Sequence, residues 1–187
     1  MGFEQWWLKE LSESERTEIL STFKPMGNDG RLLILGNINK SQYSHFLAII
    51  AGWFKKSNRE LGYKILQKAV EGINSNSTLL EQHFTYNALI EFYYEDRNNG
   101  QWYLDKALEY CRKQIGISKA VIGEFKKQDN YFLPSHRGFR QLSVYEEKQK
   151  NYKEALDLAQ QAQADGWQGD WKNRIERLKR KLASKKI

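Results

Sequence analysis

Along most of this chain apolar residues return every three or four positions, the spacing that gathers them on one face of an α-helix. Phe46, Ile49, Ile50 and Trp53 follow it, and Leu47 and Phe54 widen the apolar face, as in a helix packed on two sides. After the break "KKSNRE", the segment "LGYKILQKAVEGI" resumes as an amphipathic helix; "LLEQHFTYNALIEFYYE" and "QWYLDKALEYCRKQI" follow, divided by "DRNNG". Upstream, Ser12 and Glu15 stand at capping-box spacing and predict a helix from Glu13 to about Phe23, behind a shorter one carrying Trp6 and Trp7. "KPMGNDG" is a turn-rich break, and "RLLILG" is an apolar run whose periodicity does not separate a strand from a buried helix. Downstream, Ser118 to Lys127 fits an extra helix with Ile122 and Phe125 facing inward. Helices from His136 to about Gln149, from Tyr152 to about Ala164, and over "DWKNRIERLKRKL" complete an all-α chain.

Helices arriving in hairpins invite a search for repeats. Three pairs share one spacing, a Phe, a small residue sixteen positions later and an Ala seven after that: Phe46/Gly62/Ala69, Phe84/Gly100/Ala107 and Phe139/Ala155/Ala162. Small residues at the crossing of two helices let the backbones approach, and an aromatic on the first helix fills the space between successive pairs. The units are offset by 38 and then 55 residues, and the surplus falls where the extra helix is placed.

Within the third unit, "QLSVYEEKQKNYKEALDLAQQAQADGW" resembles the tetratricopeptide repeat. Leu142 and Ser143 occupy its Leu-Gly-like pair, Tyr152 the turn aromatic, and Ala155 and Ala162 the small sites of the second helix; Trp167 stands where the family usually closes with Pro. The two earlier units match only at the Phe and small positions, over periods longer than the family's roughly 34 residues. "LPSHRGFRQL", "GWQGDWKNRIERLKRKL" and "FYYEDRNNGQWYLDKALEYCRKQI" are similar to a group of uncharacterised bacterial tetratricopeptide-like proteins, a likeness covering roughly Ser41 onward. It implies a right-handed solenoid of about three hairpins, at about 42–73, 79–115 and 135–165, closed by a cap at 170–184. Residues 1–40 are expected to form a helical extension packed on the repeats, which fill 41–187.

Composition narrows the class. A chain of 187 residues with 40% hydrophobic content can bury a self-sufficient core, and its single cysteine, Cys111, excludes an internal disulfide and fits a reducing compartment. "MGFEQWWLKEL" has no apolar run of signal-peptide length and carries Trp6 where myristoylation asks for Ser or Thr. "RLLILG" and "HFLAIIAGWF" are too short to span a bilayer, so the expected setting is the cytoplasm, without membrane partners. The formal charge of +7 is concentrated: Lys172 to Lys186 holds eight basic residues and one acid, Glu176, so the remainder nets zero.

Candidate chemistry is sparse. Ser135 and His136 adjoin, yet a nucleophile needs an oriented base and a third partner, and Ser135 after Pro134 reads as a helix N-cap. His45, His83 and His136 share no metal-ligand spacing, so no metal is expected. Cys111 reads as a buried, inert thiol. "MGNDGRLLILG" lacks the Gly-Lys-Ser/Thr of a phosphate loop. Trp53 and Trp102 read as core, while Trp167 and Trp171 would pin the last helix to the third hairpin. No catalytic residue and no cofactor follow from these patterns.

Two binding surfaces remain. The tetratricopeptide resemblance implies a concave groove lined by first helices: Phe54 and Lys55, then Thr85, Leu89, Phe92 and Tyr93, then Arg137, Arg140, Val144 and Lys148. Aromatic at one end and basic at the other, it suits a peptide or protein segment with acidic and apolar residues. Leu47 and Ala51 replace the residues with which family members grip chaperone C-termini. The alternative is sequence-independent nucleic-acid binding through Lys172, Arg174, Arg177, Lys179, Arg180 and Lys181, set around the apolar stripe Trp171, Ile175, Leu178 and Leu182. That same stripe would also let the helix serve as a solvating cap.

Overall fold

The structure is a computed structural model that describes residues 3–25 and 43–184; "RLLILG" and most of the segment from 25 to 40 lie outside the described residues. Among the described residues the regular structure is helical: α1 (Phe3–Lys9), α2 (Glu13–Thr22), α3 (Tyr43–Gly52), α4 (Arg59–Glu71), α5 (Leu79–Glu95), α6 (Gln101–Gly116), α7 (Ser118–Phe125), α8 (Arg137–Lys148), α9 (Tyr152–Ala164) and α10 (Trp171–Ser184). Helices adjacent in sequence pack as pairs, α3 on α4 and α8 on α9. No helix among the described residues is long and apolar enough to cross a membrane. The chain divides into two compact units, Met1–Ala88 and Leu89–Ile187, with the boundary inside α5.

In the first unit the N-terminal helices are stitched to the hairpin α3–α4. The capping box forms as its spacing requires: the Glu15 N–H donates to Ser12 Oγ at 3.2 Å, and the Ser12 N–H donates to Glu15 Oε2 at 2.7 Å. Glu15 also receives Lys64 Nζ of α4 at 2.8 Å, and that hydrogen bond holds its carboxyl below the usual range. Asn58 caps α4 by accepting from the Leu61 N–H at 3.1 Å, while its amide donates to the Glu18 carboxylate of α2. Phe23, buried just past α2, meets Phe46 and Trp53 edge-on, with centroids 5.8 and 5.6 Å away.

Two tryptophans depart from expectation. Trp53 and Trp102 read as core from their spacing, yet they are 42% and 55% exposed. Trp53 follows the last residue of α3 in a turn and lays only one side against Phe23. Trp102 lies in the first turn of α6 and rests on Tyr93, which is buried, and on the half-buried Tyr103.

The second unit is built on close helix crossings. Ser143 Oγ of α8 donates to the Ala155 carbonyl of α9 at 3.0 Å, a contact that requires the two backbones to run near each other. Ala155, Ala159 and Ala162 are fully buried along α9, and Phe139 is fully buried on α8. Gly100, the small residue of the second repeat triple, is exposed at the N-cap of α6, ahead of the helix's first residue. In α7, Phe125 and Val121 are buried, with Ile122 only partly so. Trp171, Ile175 and Leu178 form the buried stripe of α10, which packs on α9.

Glycine is required at Gly138. A Cβ there would lie 2.9 Å from the Cys111 carbonyl oxygen and 2.9 Å from Gln114 Oε1, so α8 could not approach α6 as it does. Gly123, within α7, has open space around the same position. Gly138→Ala should therefore destabilise the chain by about 1–3 kcal/mol, as overpacking does. Gly123→Ala should stabilise it by about 0.5–1 kcal/mol, the helix-interior preference for alanine. Chemical denaturation of both variants beside the wild type checks the opposite signs.

Candidate anion-binding pocket

The segment Leu133–His136 leads into α8 with Leu133 and His136 buried. Sequence reading makes Ser135 the N-cap, but the cap is His136, whose backbone is extended and whose Nδ1 accepts from the Phe139 N–H at 3.3 Å. The imidazole is fully buried, 4.6 Å from the Trp167 ring and 4.7 Å from Phe139, and this packing brings the ring rather than the serine hydroxyl to the helix end. Ser135 is exposed and forms an isolated parallel bridge with Gln168, whose N–H donates to the Pro134 carbonyl at 3.2 Å. The adjacent Ser135–His136 pair thus has a local structural use.

Trp167 is placed by the end of α9. Gly166 adopts a left-handed φ of 87°, the Trp167 N–H returns to the Ala162 carbonyl, and the Gly166 N–H to that of Gln163, both at 3.1 Å. This double return is the Schellman closure, and glycine meets its backbone requirement without steric penalty. Trp171 Nε1 then donates to the Trp167 carbonyl at 2.7 Å and fixes the start of α10.

The starts of α8 and α10 enclose a pocket of about 350 Å³. Arg137, Arg140 and Gln141 line it from α8, Asp170 and Arg174 from the other side, and the bridged Ser135 and Gln168 lie between them. The buried Gly138 N–H in the first turn of α8 is taken by Gln114 Oε1 at 2.8 Å, and that of Phe139 by His136. Positive charge at the pocket therefore comes from the guanidiniums.

Those three arginines have different partners. Arg137 pairs with Glu91 at 3.0 Å. Arg174 reaches Glu147 at 3.5 Å, while Arg177 and Lys181 hold the same carboxylate at 2.9 and 2.8 Å. Arg140 is exposed and has no ion-pair partner among the described residues. Burial, together with the neighbouring Arg177 and Arg140 charges, lowers the proton affinity of Arg174 despite Glu147. The hydrogen bond from Arg177, helped by Lys181, holds the Glu147 carboxyl down at about 2 against the opposing effect of burial.

The remaining expected residues are spread more widely. Phe54, Thr85, Leu89 and Phe92 are buried, and Thr85 Oγ1 is bound to the Glu81 carbonyl at 2.7 Å. Tyr93 is 8% exposed and stacks on Tyr110 at 5.7 Å; burial raises the pKa of its hydroxyl. These aromatics are core side chains in the described structure, whereas Lys55 and Val144 are half-buried and Lys148 is exposed. Of the basic set on α10, Arg174, Arg177 and Lys181 converge on Glu147, leaving Lys172, Lys179 and Arg180 exposed. Gln141, Gln168 and Asp170 belong to the pocket without any signal of their own in the sequence; only the Gly166-Trp167 turn just before the last two marks the place.

Elsewhere, burial pushes His83 down to about 4 and lowers His45 as well, and among the described residues no group of His, Cys, Asp or Glu is arranged to hold a metal ion. Cys111 is fully buried, and that burial pushes its thiol up to about 12. Comparison with protein-family models, with curated proteins and with solved structures finds no match to this chain.

Glu147 holds three cations of α10 and so makes their attachment to α8 pH-dependent. Its folded pKa lies below the ordinary 4.5, so its stabilisation is complete above that value and is lost as pH falls from 4.5 towards 2. With Arg177 and Lys181 partly exposed, solvent screening limits the contribution to about 1–3 kcal/mol. Glu147→Gln should lower stability at neutral pH and flatten the acid-side slope in that window, as read by denaturation at stepped pH.

Proposed function

We propose that this chain is a non-catalytic protein-interaction module, a tetratricopeptide-like helical repeat protein that captures an acidic segment of a partner protein. The observation that supports this is the arginine-lined recess at the start of α8, where Arg137 and Arg140 from the expected groove meet Arg174 of the last helix. Guanidiniums present forked N–H donors that match carboxylate or phosphate oxygens two at a time, which favours recognition of discrete acidic groups. The aromatic half of the expected groove drops out of the contact surface, since its side chains are core. The working surface is then the basic end, with Val144 and Lys148 further along α8.

A second reading is favoured by one feature: Lys172, Lys179 and Arg180 are exposed on α10 beyond the Glu147 cluster. They would contact phosphates without regard to sequence, with affinity falling steeply as salt rises. The exposed face also carries Glu176, and three of the six basic residues named for this role are occupied by Glu147. The protein-binding reading is the stronger.

Affinity capture from host lysate with and without nuclease separates the two. It would compare the wild type, Arg137→Gln/Arg140→Glu, and Lys172→Glu/Lys179→Glu/Arg180→Glu. A directly bound protein that survives nuclease should be lost at least tenfold in the first variant and retained in the second. Nucleic acid captured by the wild type and lost only in the triple variant would overturn the protein-binding reading.

A further inference from the structure

We propose that the pocket at the starts of α8 and α10 is a phosphomonoester site, taking a phosphorylated side chain on the partner protein. This rests on the protein-binding reading and narrows its ligand from any acidic group to a doubly charged one. Arg137, Arg140 and Arg174 line the recess beside Asp170; with Glu91 and Glu147, which pair with Arg137 and Arg174, and with Arg177 and Lys181, which share Glu147, five cations stand against three carboxylates, a surplus of two positive charges. Asp170 is itself engaged, accepting from Asn173 Nδ2 at 2.6 Å. A peptide carboxylate would offset half of that surplus, whereas a phosphomonoester at neutral pH carries about −1.5 to −2.

Donor capacity points the same way. Each guanidinium has five N–H groups in a planar fork, and one carboxylate engages no more than two of them at once. Arg137 is held by Glu91, Arg174 is the longest of the three contacts on Glu147, and Arg140 has no ion-pair partner among the described residues. The donors of Arg140 and of the loosely held Arg174 suit a phosphate, whose three terminal oxygens exceed a carboxylate's two. Gln141 and Gln168 add neutral side-chain amides at the wall. Burial and the neighbouring Arg177 and Arg140 charges press on Arg174, and a bound anion would relieve that pressure.

The shape distinguishes the source. A nucleic-acid backbone carries one charge per phosphodiester and needs an extended track of cations. A recess of about 350 Å³ admits a terminal group with the side chain that bears it. It is the phosphorylated residue of a protein segment that brings such a group on a short tether.

The test uses the full-length ¹⁵N-labelled chain. Inorganic phosphate, sulfate and acetate are titrated at constant ionic strength while the side-chain signals of Arg140, Gln141 and Gln168 are followed by NMR. Phosphate and sulfate should saturate these signals at least tenfold more tightly than acetate. Arg140→Gln and, independently, Arg174→Gln should weaken phosphate binding at least tenfold, whereas Lys179→Gln, on α10 but outside the pocket, should leave it unchanged. A degenerate peptide library with a fixed phosphoserine should then bind at least tenfold more tightly than the same library with a fixed glutamate. Equal response to phosphate and acetate, or an unchanged Arg140→Gln, overturns the phosphate assignment. In that case glutamate peptides that bind through Arg140 would keep the acidic-partner reading, and failure of every peptide would remove both. A 5′-phosphorylated oligonucleotide that outcompetes the phosphopeptide at matched salt overturns the assignment to a protein partner.

Discussion

Two N–H groups at the start of α8 are buried against neighbouring helices, and the way they are satisfied organises the second unit. The Gly138 N–H goes to the Gln114 side chain on α6 and the Phe139 N–H to the His136 ring. Both acceptors are fully buried, so each bond must be made in protein, since leaving such a group unmade costs about 1–3 kcal/mol. Gln114 can reach only because residue 138 has no side chain, and His136 stays in place because Trp167 covers it. The end of α9, the turn through Gly166 and the start of α10 therefore all depend on how α8 begins.

The same arrangement decides where charge is exposed. With the first-turn N–H groups occupied by Gln114 and His136, the pocket above them draws its field from side chains. Arg137 and Arg140 follow from the helical turn that α8 makes at its start, and Arg174 is carried in by α10. Glu147, a full turn or more along α8, gathers three cations of α10 and leaves only part of the formal surplus facing solvent. A basic helix read alone looks like one continuous surface; packed against an acid on its neighbour, it divides into a structural face and an open one.

Much of the helical layout was legible because it rests on local chemistry. Ser12 and Glu15 lie within one turn of each other, so their capping box could be read directly. The stripe Trp171, Ile175 and Leu178 follows from period alone, as do the buried alanines of α9. Trp53 and Trp102 show where local reading stops: their spacing fits a core face, but a turn and a first helical turn leave them half outside. Gly100 fails similarly, since a spacing of sixteen says nothing about where the second helix begins.

The sequence by itself determined that this chain is helical, where most helices start and stop, and that its charge surplus lies at one end, because these depend on residues within a few positions of each other. It also held both groups of arginines, though in separate lists. Only the tertiary structure decided that His136 rather than Ser135 caps α8, that the aromatics Phe54, Phe92 and Tyr93 are core, and that Arg140 and Arg174 share one recess. Those outcomes turn on contacts between residues far apart along the chain, such as His136 with Trp167 and Tyr93 with Tyr110, and the order of residues carries no direct record of such distances.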